Sequence, residues 1–344
     1  MNTLLLKDDE AGVRRAGRIL ADGGLVGIPT ETVYGLAANA LDGAAVAKIF
    51  AAKGRPMDNP LIVHIADISD ISRFKLVSDF PEGARKLAEK FWSGPLTIIM
   101  PKGSAIPDEV SAGLDTVAIR FPEHKTAQAI IKAAGVPLAA PSANLSGSPS
   151  PTTAAHVMND MDGRIDAVVD GGECRVGVES TVITLATEKP RLLRPGGITV
   201  EQLESVLGEI DIDDAVLNKL RDGEKAASPG MKYKHYAPSA RVVILRGSSE
   251  KYIDYVNRNS GEGTAALCYS DDADKLSVPV FPLGSFGDSP GQAHILFNSL
   301  REIDAHPEVK LVFARCPEPD GVGMAVYNRL IRAAGFEVID LEEI

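Results

Sequence analysis

Apolar stretches rich in Val, Ile and Leu alternate with amphipathic stretches over about the first 205 residues of the chain. Short apolar runs bounded by Gly or Pro predict buried strands, and apolar residues three and four apart predict helices. Helices are predicted at 9–22, 44–53, 81–91 and 125–134, and strands at 25–29, 61–65, 96–100, 116–121, 137–140, 167–169 and 181–185. This alternation is typical of an α/β fold in which helices cover a mixed or parallel sheet.

The pattern weakens between residues 206 and 239 and then resumes. This middle segment is charged and interrupted by Gly and Pro, and it ends in the motif SPGMKYKHYAPSA at 228–240. From residue 241 strands and helices alternate again over roughly a hundred residues, a usual size for one domain. We therefore predict a larger domain at 1–205, a linker at 206–239 and a smaller α/β domain at 240–344.

Composition narrows the function classes. The 344 residues carry a formal net charge of -11, which argues against a broad nucleic-acid surface, so any anion site must be a local pocket. No apolar run approaches the ~18 residues of a membrane span, and the N-terminus lacks the order of a signal peptide. Cys174, Cys268 and Cys316 are too far apart for a zinc pair. These features predict a cytoplasmic protein with reduced cysteines and no membrane partner.

Several common catalytic motifs are absent from the sequence. There is no G-x-x-x-x-G-K-[ST] loop, and no G-x-G-x-x-G follows a predicted strand. Gly321-Val322-Gly323 resembles half of the second motif, but it lies in the small domain and is better explained as the start of a helix. Neither G-x-S-x-G nor H-E-x-x-H occurs, so no motif indicates a covalent nucleophile or a zinc protease.

Two loop segments carry more polar residues than a plain fold needs. PTETVYGLAANA at 29–40 follows a predicted buried strand, where α/β sheets bind ligands, although a helix N-cap explains Thr30 equally well. KGRPMDNPLIVHI at 53–65 places Lys53 and Arg55 on either side of Gly54, which lets the backbone approach a ligand closely. Taken alone, two exposed surface cations are the simpler explanation of this K-x-R.

Arg120 lies in the otherwise apolar stretch TVAIRFPEH at 116–124. An unpaired charge in a buried strand is costly, so Arg120 needs either a bound carboxylate or phosphate or an internal Asp or Glu. The sequence leaves both options open.

Three further segments add hydroxyls, amides and a cation at predicted strand ends. APSANLSGSPSPT at 140–152 combines rigid turns with polar side chains that suit a phosphate or sugar, although a solvated loop explains single serines. GVESTVI at 177–183 and LLRPGGIT at 192–199 add Ser180, Arg194 and a glycine pair before a helix whose amides could receive an anion. Together these segments predict a pocket for a triphosphate and a small carboxylate.

With these motifs the chain resembles the YrdC-like threonylcarbamoyl-AMP synthases, in the long form with an additional C-terminal domain. The motifs follow the family's order across residues 24–238, and its signature K-x-R…S-x-N is present as Lys53, Arg55, Ser142 and Asn144. Residues 241–344 fit the family's smaller Rossmann-like α/β domain only by position and pattern. The resemblance implies an α/β fold with a twisted mixed sheet and helices around a large cavity.

The resemblance also implies a reaction. L-threonine, bicarbonate or CO₂, and ATP would give L-threonylcarbamoyladenylate and pyrophosphate, with Mg²⁺ held mainly by the ATP phosphates. The product would serve the threonylcarbamoyladenosine modification of tRNA, completed by downstream tRNA threonylcarbamoyl-transfer proteins. No protein nucleophile is required, which agrees with the motifs present.

The same resemblance assigns roles to individual residues. The catalytic residues implied are Lys53, Arg55, Ser142 and Asn144. ATP binding is implied for Lys53, Arg55, Asn59, Thr116, Ser142, Ser150, Arg194 and Tyr236. L-threonine binding is implied for Thr32, His64, Arg120, Ala140 and Ser180. Arg120 would take the threonine carboxylate through a two-pronged contact. A core histidine is the ordinary explanation of His64, and Asn144 either contacts ligand or holds its loop.

The motif SPGMKYKHYAP at 228–238 is expected to close over the nucleotide as a lid, with Tyr236 contacting ATP, because an adenylate is labile in water. An RNA-binding YrdC-like module without adenylate-forming activity is the main alternative. The acidic net charge counts against it, and direct tRNA binding is expected to be weak or absent. A carbamoyl-transferring hydrogenase-maturation protein would carry paired zinc-finger cysteines, which this chain lacks.

Overall fold

The computed structural model describes residues 2–218 and 236–344, so most of the predicted lid motif lies outside the described residues. The described residues form two compact units. Unit 1 comprises 2–146 and 150–216, and unit 2 comprises 147–149, 217–218 and 236–344.

Unit 1 is a sheet covered by helices. Its strands are β1 (Leu4–Lys7), β2 (Val26–Ile28), β3 (Gly35–Asn39), β4 (Ile62–His64), β5 (Leu96–Pro101), β6 (Thr116–Arg120), β7 (Leu138–Ala139), β8 (Ala167–Asp170), β9 (Thr181–Thr184), β10 (Arg191–Arg194) and β11 (Asp211–Ile212). Its helices are α1 (Glu10–Ala21), α2 (Gly43–Lys53), α3 (Asp70–Arg73), α4 (Glu82–Phe91), α5 (Asp108–Ser111), α6 (Lys125–Ala134), α7 (Ala154–Met161) and α8 (Val200–Leu207).

Within the described residues the strands form one eleven-stranded sheet in the order β1-β8-β2-β3-β7-β4-β6-β5-β9-β10-β11. The central strands β4 and β6 are parallel to each other, and β7 and β5 flank them in the antiparallel direction. β9 is again parallel to β5. The sheet is therefore mixed, which confirms the predicted α/β class; the enclosed cavity stays a prediction.

Helix packing in unit 1 follows from local sequence. Asp9 caps α1 by accepting a hydrogen bond from the Gly12 amide at 2.8 Å. Gly17 faces α6, where an added Cβ would lie 2.6 Å from the Cβ of Ala133, so only glycine allows the two helices to approach this closely. Apolar residues of both helices then pack with β1, β2 and β8 in one core cluster.

Unit 2 is a smaller α/β sheet. Its strands are β12 (Arg241–Arg246), β13 (Thr264–Cys268), β14 (Val280–Pro282), β15 (Leu311–Arg315) and β16 (Val338–Asp340), and its helices are α9 (Ser249–Arg258), α10 (Ser270–Ala273), α11 (Ser289–Asp304) and α12 (Gly323–Ala333). The strands lie in the order β14-β13-β15-β12-β16, and every adjacent pair is parallel. This confirms the second α/β domain, and Gly323 begins α12 as expected.

The four helices predicted in the first half of the chain are confirmed within one residue at each end. The pattern did not reveal β1, β3, α7 or β11. β3 consists of small residues without β-branched side chains, and β11 lies inside the predicted linker, where it pairs with β10. None of the helices in residues 2–218 and 236–344 combines the length and apolarity that crossing a membrane requires.

Candidate active site

A row of side chains crosses neighbouring strands at one end of the unit 1 sheet. His64, the last residue of β4, is in register with Arg120, the last residue of β6, and Arg120 is in register with Thr97 of β5. Thr97 is in turn opposite Val182 of β9, and Val182 is opposite Arg194 at the end of β10. Because residues opposite each other in adjacent strands point to the same face, we call His64, Arg120, Thr97 and Arg194 the cross-sheet row.

Other predicted site residues lie at the opposite end of β4 and β6. Thr116 begins β6 on the same face as Arg120, four positions away, which corresponds to ~13 Å along a strand. Asn59 is fully buried and precedes β4. β7 runs antiparallel to β4, so the chain that leaves β7 through Ala140 and Ser142 heads towards this end. The predicted residues thus fall into two groups on one sheet.

Arg120 lies beside a buried carboxylate. Glu31, in the loop after β2, places Oε1 2.7 Å from Arg120 Nη2, and both side chains are almost fully buried. An internal glutamate is therefore a counter-charge of Arg120, one of the two options that the sequence left open. Within the described residues neither Glu31 oxygen nor Arg120 Nη2 makes a hydrogen bond, so the two groups contact each other as an ion pair only. Both groups keep capacity to bind a ligand.

Lys53 is a buried cation surrounded by carbonyl groups. It ends α2, and Gly54 closes the helix in the left-handed conformation, with φ 63°. The Lys53 ammonium donates hydrogen bonds to the main-chain carbonyls of Ser142 and Asn144, the latter at 2.6 Å. The Lys53 carbonyl accepts one from the Ser146 amide at 3.1 Å. Lys53 therefore ties the K-x-R segment to the S-x-N loop.

The S-x-N loop is also held by its own side chains. Ser142 Oγ donates to Asn144 Oδ1 at 2.5 Å, and Asn144 Nδ2 donates to the Leu145 carbonyl at 2.8 Å. These bonds support the loop-holding role of Asn144. A direct contact with ATP stays a prediction.

Ser180 and Arg194, which the sequence assigns to different substrates, touch each other. Arg194 Nε donates to the Ser180 carbonyl at 3.0 Å, and Nη2 donates to Ser180 Oγ at 3.1 Å. Ser180 Oγ also lies 2.8 Å from Thr97 Oγ1. Gly196 makes this approach feasible, since a Cβ there would lie 2.3 Å from the Thr181 amide nitrogen. The structure brings the two predicted subsites into contact here.

His64 is buried and neutral. Burial, and to a smaller extent the charge of Arg120, lowers the pKa of His64 to about 3. Its Nδ1 lies 3.1 Å from the Ile62 carbonyl, which fixes the ring within β4. A neutral imidazole in this position can orient a ligand but carries no charge towards it near pH 7.

The remaining predicted residues lie in several parts of the fold. Thr32 Oγ1 is 2.9 Å from Thr30 Oγ1 in the loop before β3. Ser150 donates from Oγ to the buried Glu179 carboxylate. Arg55 is half-buried, with its guanidinium 5.9 Å from the Phe50 ring centroid.

Tyr236 belongs to unit 2, where it is buried and its ring centroid is 5.1 Å from that of Phe297. The lid residues at 228–235 lie outside the described residues. The ATP contact of Tyr236 stays a prediction.

Three buried polar residues received no role from the sequence. Glu31 was named within its motif, but nothing in sequence identifies Arg120 as its partner. Thr97 is the one polar residue in the apolar strand LTIIM, which was a usable signal. Glu179 precedes Ser180 in the ESTVI motif and accepts from Ser150. Within 2–218 and 236–344, no group of three or more His, Cys, Asp or Glu residues is arranged to hold a metal ion.

Comparison with known proteins finds family matches in both units. Residues 18–196 match the Sua5_yciO_yrdC family, described as telomere recombination, and residues 198–335 match the threonylcarbamoyl-AMP synthase C-terminal domain. The threonylcarbamoyl-AMP synthase of Pyrococcus abyssi is 46% identical over 340 residues, covering 96% of each chain. That of Bacillus subtilis is 46% identical over 338 residues, covering 97% of this chain and 96% of the relative.

A solved structure agrees with these matches. The crystal structure of P. abyssi Sua5 complexed with L-threonine has a TM-score of 0.90 at 44% identity and covers 99% of both chains. The chain therefore belongs to the Sua5/YciO/YrdC family, in the form that carries the C-terminal domain of threonylcarbamoyl-AMP synthases.

Proposed function

We propose that this protein forms L-threonylcarbamoyl-AMP and pyrophosphate from L-threonine, ATP and bicarbonate or CO₂. The observation that carries the proposal is the 46% identity, over almost the whole chain, to curated threonylcarbamoyl-AMP synthases of two organisms. The relative complexed with L-threonine supports the amino acid as a substrate.

In this proposal His64 and Arg120 of the cross-sheet row bind the amino acid. Arg120 is a buried guanidinium whose Nη2 makes no hydrogen bond within the described residues, and it binds the threonine carboxylate. Glu31 Oε1 lies 2.7 Å from the same Nη2, and its negative charge keeps the site near neutrality. Thr32, His64 and Ser180 complete the threonine subsite, with His64 neutral. Ala140 joins them from the direction of the ATP residues, since its amide donates to the carbonyl of Ile62 in the strand of His64.

ATP occupies the other group of residues. Lys53 holds the S-x-N loop in place, while Arg55, Asn59, Thr116, Ser142 and Ser150 contact the nucleotide. Arg194 marks the boundary between the substrates, since it contacts Ser180 directly. A cation at this boundary suits the α-phosphate, which must meet the carbamoylated amino acid.

The proposed reaction develops negative charge, which cationic residues of the site can stabilise. The threonine amine adds to CO₂ with loss of a proton, or to bicarbonate with loss of water, and forms a carbamate. A carbamate oxygen then attacks the α-phosphorus, and the bond to the leaving pyrophosphate breaks. Negative charge builds on the phosphoryl oxygens and the leaving group, so fixed cations stabilise the transition state. Holding the reactants together contributes roughly 7–11 kcal/mol in favourable cases.

Magnesium enters this proposal as the counter-ion of the ATP phosphates. The described residues offer no cluster of acidic or imidazole ligands for it, and we assign it no protein ligand. The adenylate product would pass to downstream tRNA threonylcarbamoyl-transfer proteins in the cytoplasm. A net charge of -11 favours weak or absent direct binding of tRNA.

Pyrophosphate release tests the proposal. The protein is incubated with ATP, Mg²⁺ and bicarbonate, together with threonine, serine or valine, and each component is omitted in turn. Release should require both threonine and bicarbonate, and valine should be much the poorest substrate because it lacks the hydroxyl. Release that is independent of threonine would refute the assignment.

Two variants test how the pocket is divided. Arg120→Ala should raise the KM for threonine by about tenfold or more, on the scale of one charged hydrogen bond, and change the KM for ATP little. Arg55→Ala should raise the KM for ATP by a similar factor and change the KM for threonine little. The opposite pattern would contradict the division of the two subsites.

A further inference from the structure

The buried hydroxyl of Thr97 is not assigned a role by the proposed function, although it touches a site residue. Thr97 is fully buried in β5, and within the described residues its Oγ1 has one hydrogen-bond partner, Ser180 Oγ at 2.8 Å. Ser180 Oγ has a second neighbour, Arg194 Nη2 at 3.1 Å. Three side chains from three adjacent strands or strand ends therefore meet at one serine oxygen.

The distance between Thr97 Oγ1 and Ser180 Oγ leaves the donor of that bond open, and the other contacts of the two hydroxyls favour one direction. A guanidinium only donates, so Ser180 Oγ accepts from Arg194. If Ser180 donated to Thr97, the Thr97 proton would have no acceptor among the described residues, at a position without solvent exposure. If Thr97 donates to Ser180, every hydroxyl proton is accounted for except that of Ser180 itself. Each arrangement leaves one hydroxyl proton without an acceptor among the described residues, on Thr97 in the first and on Ser180 in the second. The second fits the proposed function, because Ser180 is assigned to the substrate whereas Thr97 is fully buried in β5.

The consequence concerns Ser180. Its two lone pairs are occupied by Thr97 and Arg194, so its hydroxyl retains only its proton for a ligand. Beside the positive guanidinium, the ligand atom that receives this proton is an anionic oxygen rather than an N–H group. We propose that Thr97 is a positioning residue that makes Ser180 an obligate hydrogen-bond donor to the carbamate oxygen of the carbamoylated substrate. The identity of that oxygen rests on the proposed function.

Ser180 belongs to the proposed threonine subsite, and the carbamate forms on the threonine amine within that subsite, so the carbamate oxygen fits the surrounding contacts. The threonine carboxylate is allotted to Arg120 in the same row, and Arg194 lies at the boundary with the nucleotide. The group that forms between the amino acid and the α-phosphate is the carbamate. Thr97 should therefore affect the chemical step more than the binding of free threonine.

A double-mutant cycle tests this arrangement. Thr97→Val keeps the shape of the side chain and removes the donor, and Ser180→Ala removes the oxygen. Pyrophosphate release is measured for both single variants and for the double variant, with kcat and the threonine KM determined separately. We expect Thr97→Val to lower kcat about tenfold, the scale of one hydrogen bond, with the threonine KM within about twofold of wild type.

In the Ser180→Ala background the Thr97→Val change should have little further effect, because Thr97 acts only through Ser180. Thr97→Ser keeps a donor and should restore at least half of the activity. If Thr97→Val does not fold, Thr97→Cys replaces it, and its weak donor should give an intermediate loss.

The results distinguish a failure of the proposed function from a failure of the positioning role of Thr97. If wild type releases no threonine-dependent pyrophosphate, the proposed function is wrong. If wild type is active but the two single effects multiply in the double variant, Thr97 acts independently and the positioning role is refuted. A rise in the threonine KM with kcat unchanged would also overturn the inference, because the oxygen would then belong to free threonine.

Discussion

Neutralising Glu31 should destabilise unit 1 strongly. Glu31→Gln keeps the side-chain shape but leaves the Arg120 guanidinium buried, with side-chain exposures of 4% for Glu31 and 5% for Arg120 in the present pair. Removing one partner of a buried ion pair typically costs about 3–5 kcal/mol, because the remaining charge is uncompensated. We expect a loss of this size in the free energy of unfolding.

The chain offers a matched control. Arg175 and Glu123 form an ion pair on the surface of unit 1, with side-chain exposures of 68% and 50%. Glu123→Gln should cost about 0–1 kcal/mol, since water replaces the lost partner. The double variant Glu31→Gln/Arg120→Gln should be more stable than the sum of its single effects by about 2 kcal/mol.

The single tryptophan makes the assay specific. Trp92 lies in unit 1, and its fluorescence during urea titration reports the unfolding of that unit. Equal losses for Glu31→Gln and Glu123→Gln, or strictly additive effects in the double variant, would refute the view that the buried pair is energetically coupled.

Three further predictions concern other parts of the molecule. Lys53→Met should lower the rate of pyrophosphate release by about 100-fold or more while far-UV circular dichroism stays unchanged, since the S-x-N loop loses its ammonium donor; an unchanged rate would contradict this. His64 has a folded pKa of about 3, below the ordinary 6.5, so the unfolded state binds the extra proton. Stability should therefore fall by about 1.4 kcal/mol per pH unit from His64 alone between pH 6.5 and about pH 3, and urea titrations of His64→Gln should lack this component. In unit 2, Asp272→Asn breaks the buried pair with Arg315, whose atoms are 3.3 Å apart, and should increase amide hydrogen exchange in β15; unchanged exchange would argue against the pair's importance.

Sequence patterns predicted the α/β class and the main helices because these depend on local periodicity. α6, at Lys125–Ala134, follows from apolar residues at helical spacing. β3 and β11 were missed because small or exposed residues carry no periodic signal, and their pairing with distant strands decides their conformation.

Prediction of the candidate site from sequence was limited in the same way. Motifs identified the residues of the two proposed subsites, but they could not show that Lys53 donates to the Ser142 and Asn144 carbonyls rather than facing solvent. The pairing of Arg120 with Glu31 joins positions 89 residues apart. Such contacts arise from strand order, which no local pattern encodes.

The cross-sheet row also links ligand binding to the maturation of the chain. Its members come from positions 64, 97, 120 and 194, and β1 pairs with β8, with Leu4 opposite Ala167. Contacts between residues so far apart in sequence form late, and they make folding slow. A growing chain shorter than about 194 residues lacks Arg194 and therefore cannot contain the complete row. A ligand that binds only the completed row stabilises the folded state by mass action. Threonine and ATP should therefore protect newly completed chains from proteolysis, which couples the yield of enzyme to the supply of its own substrates.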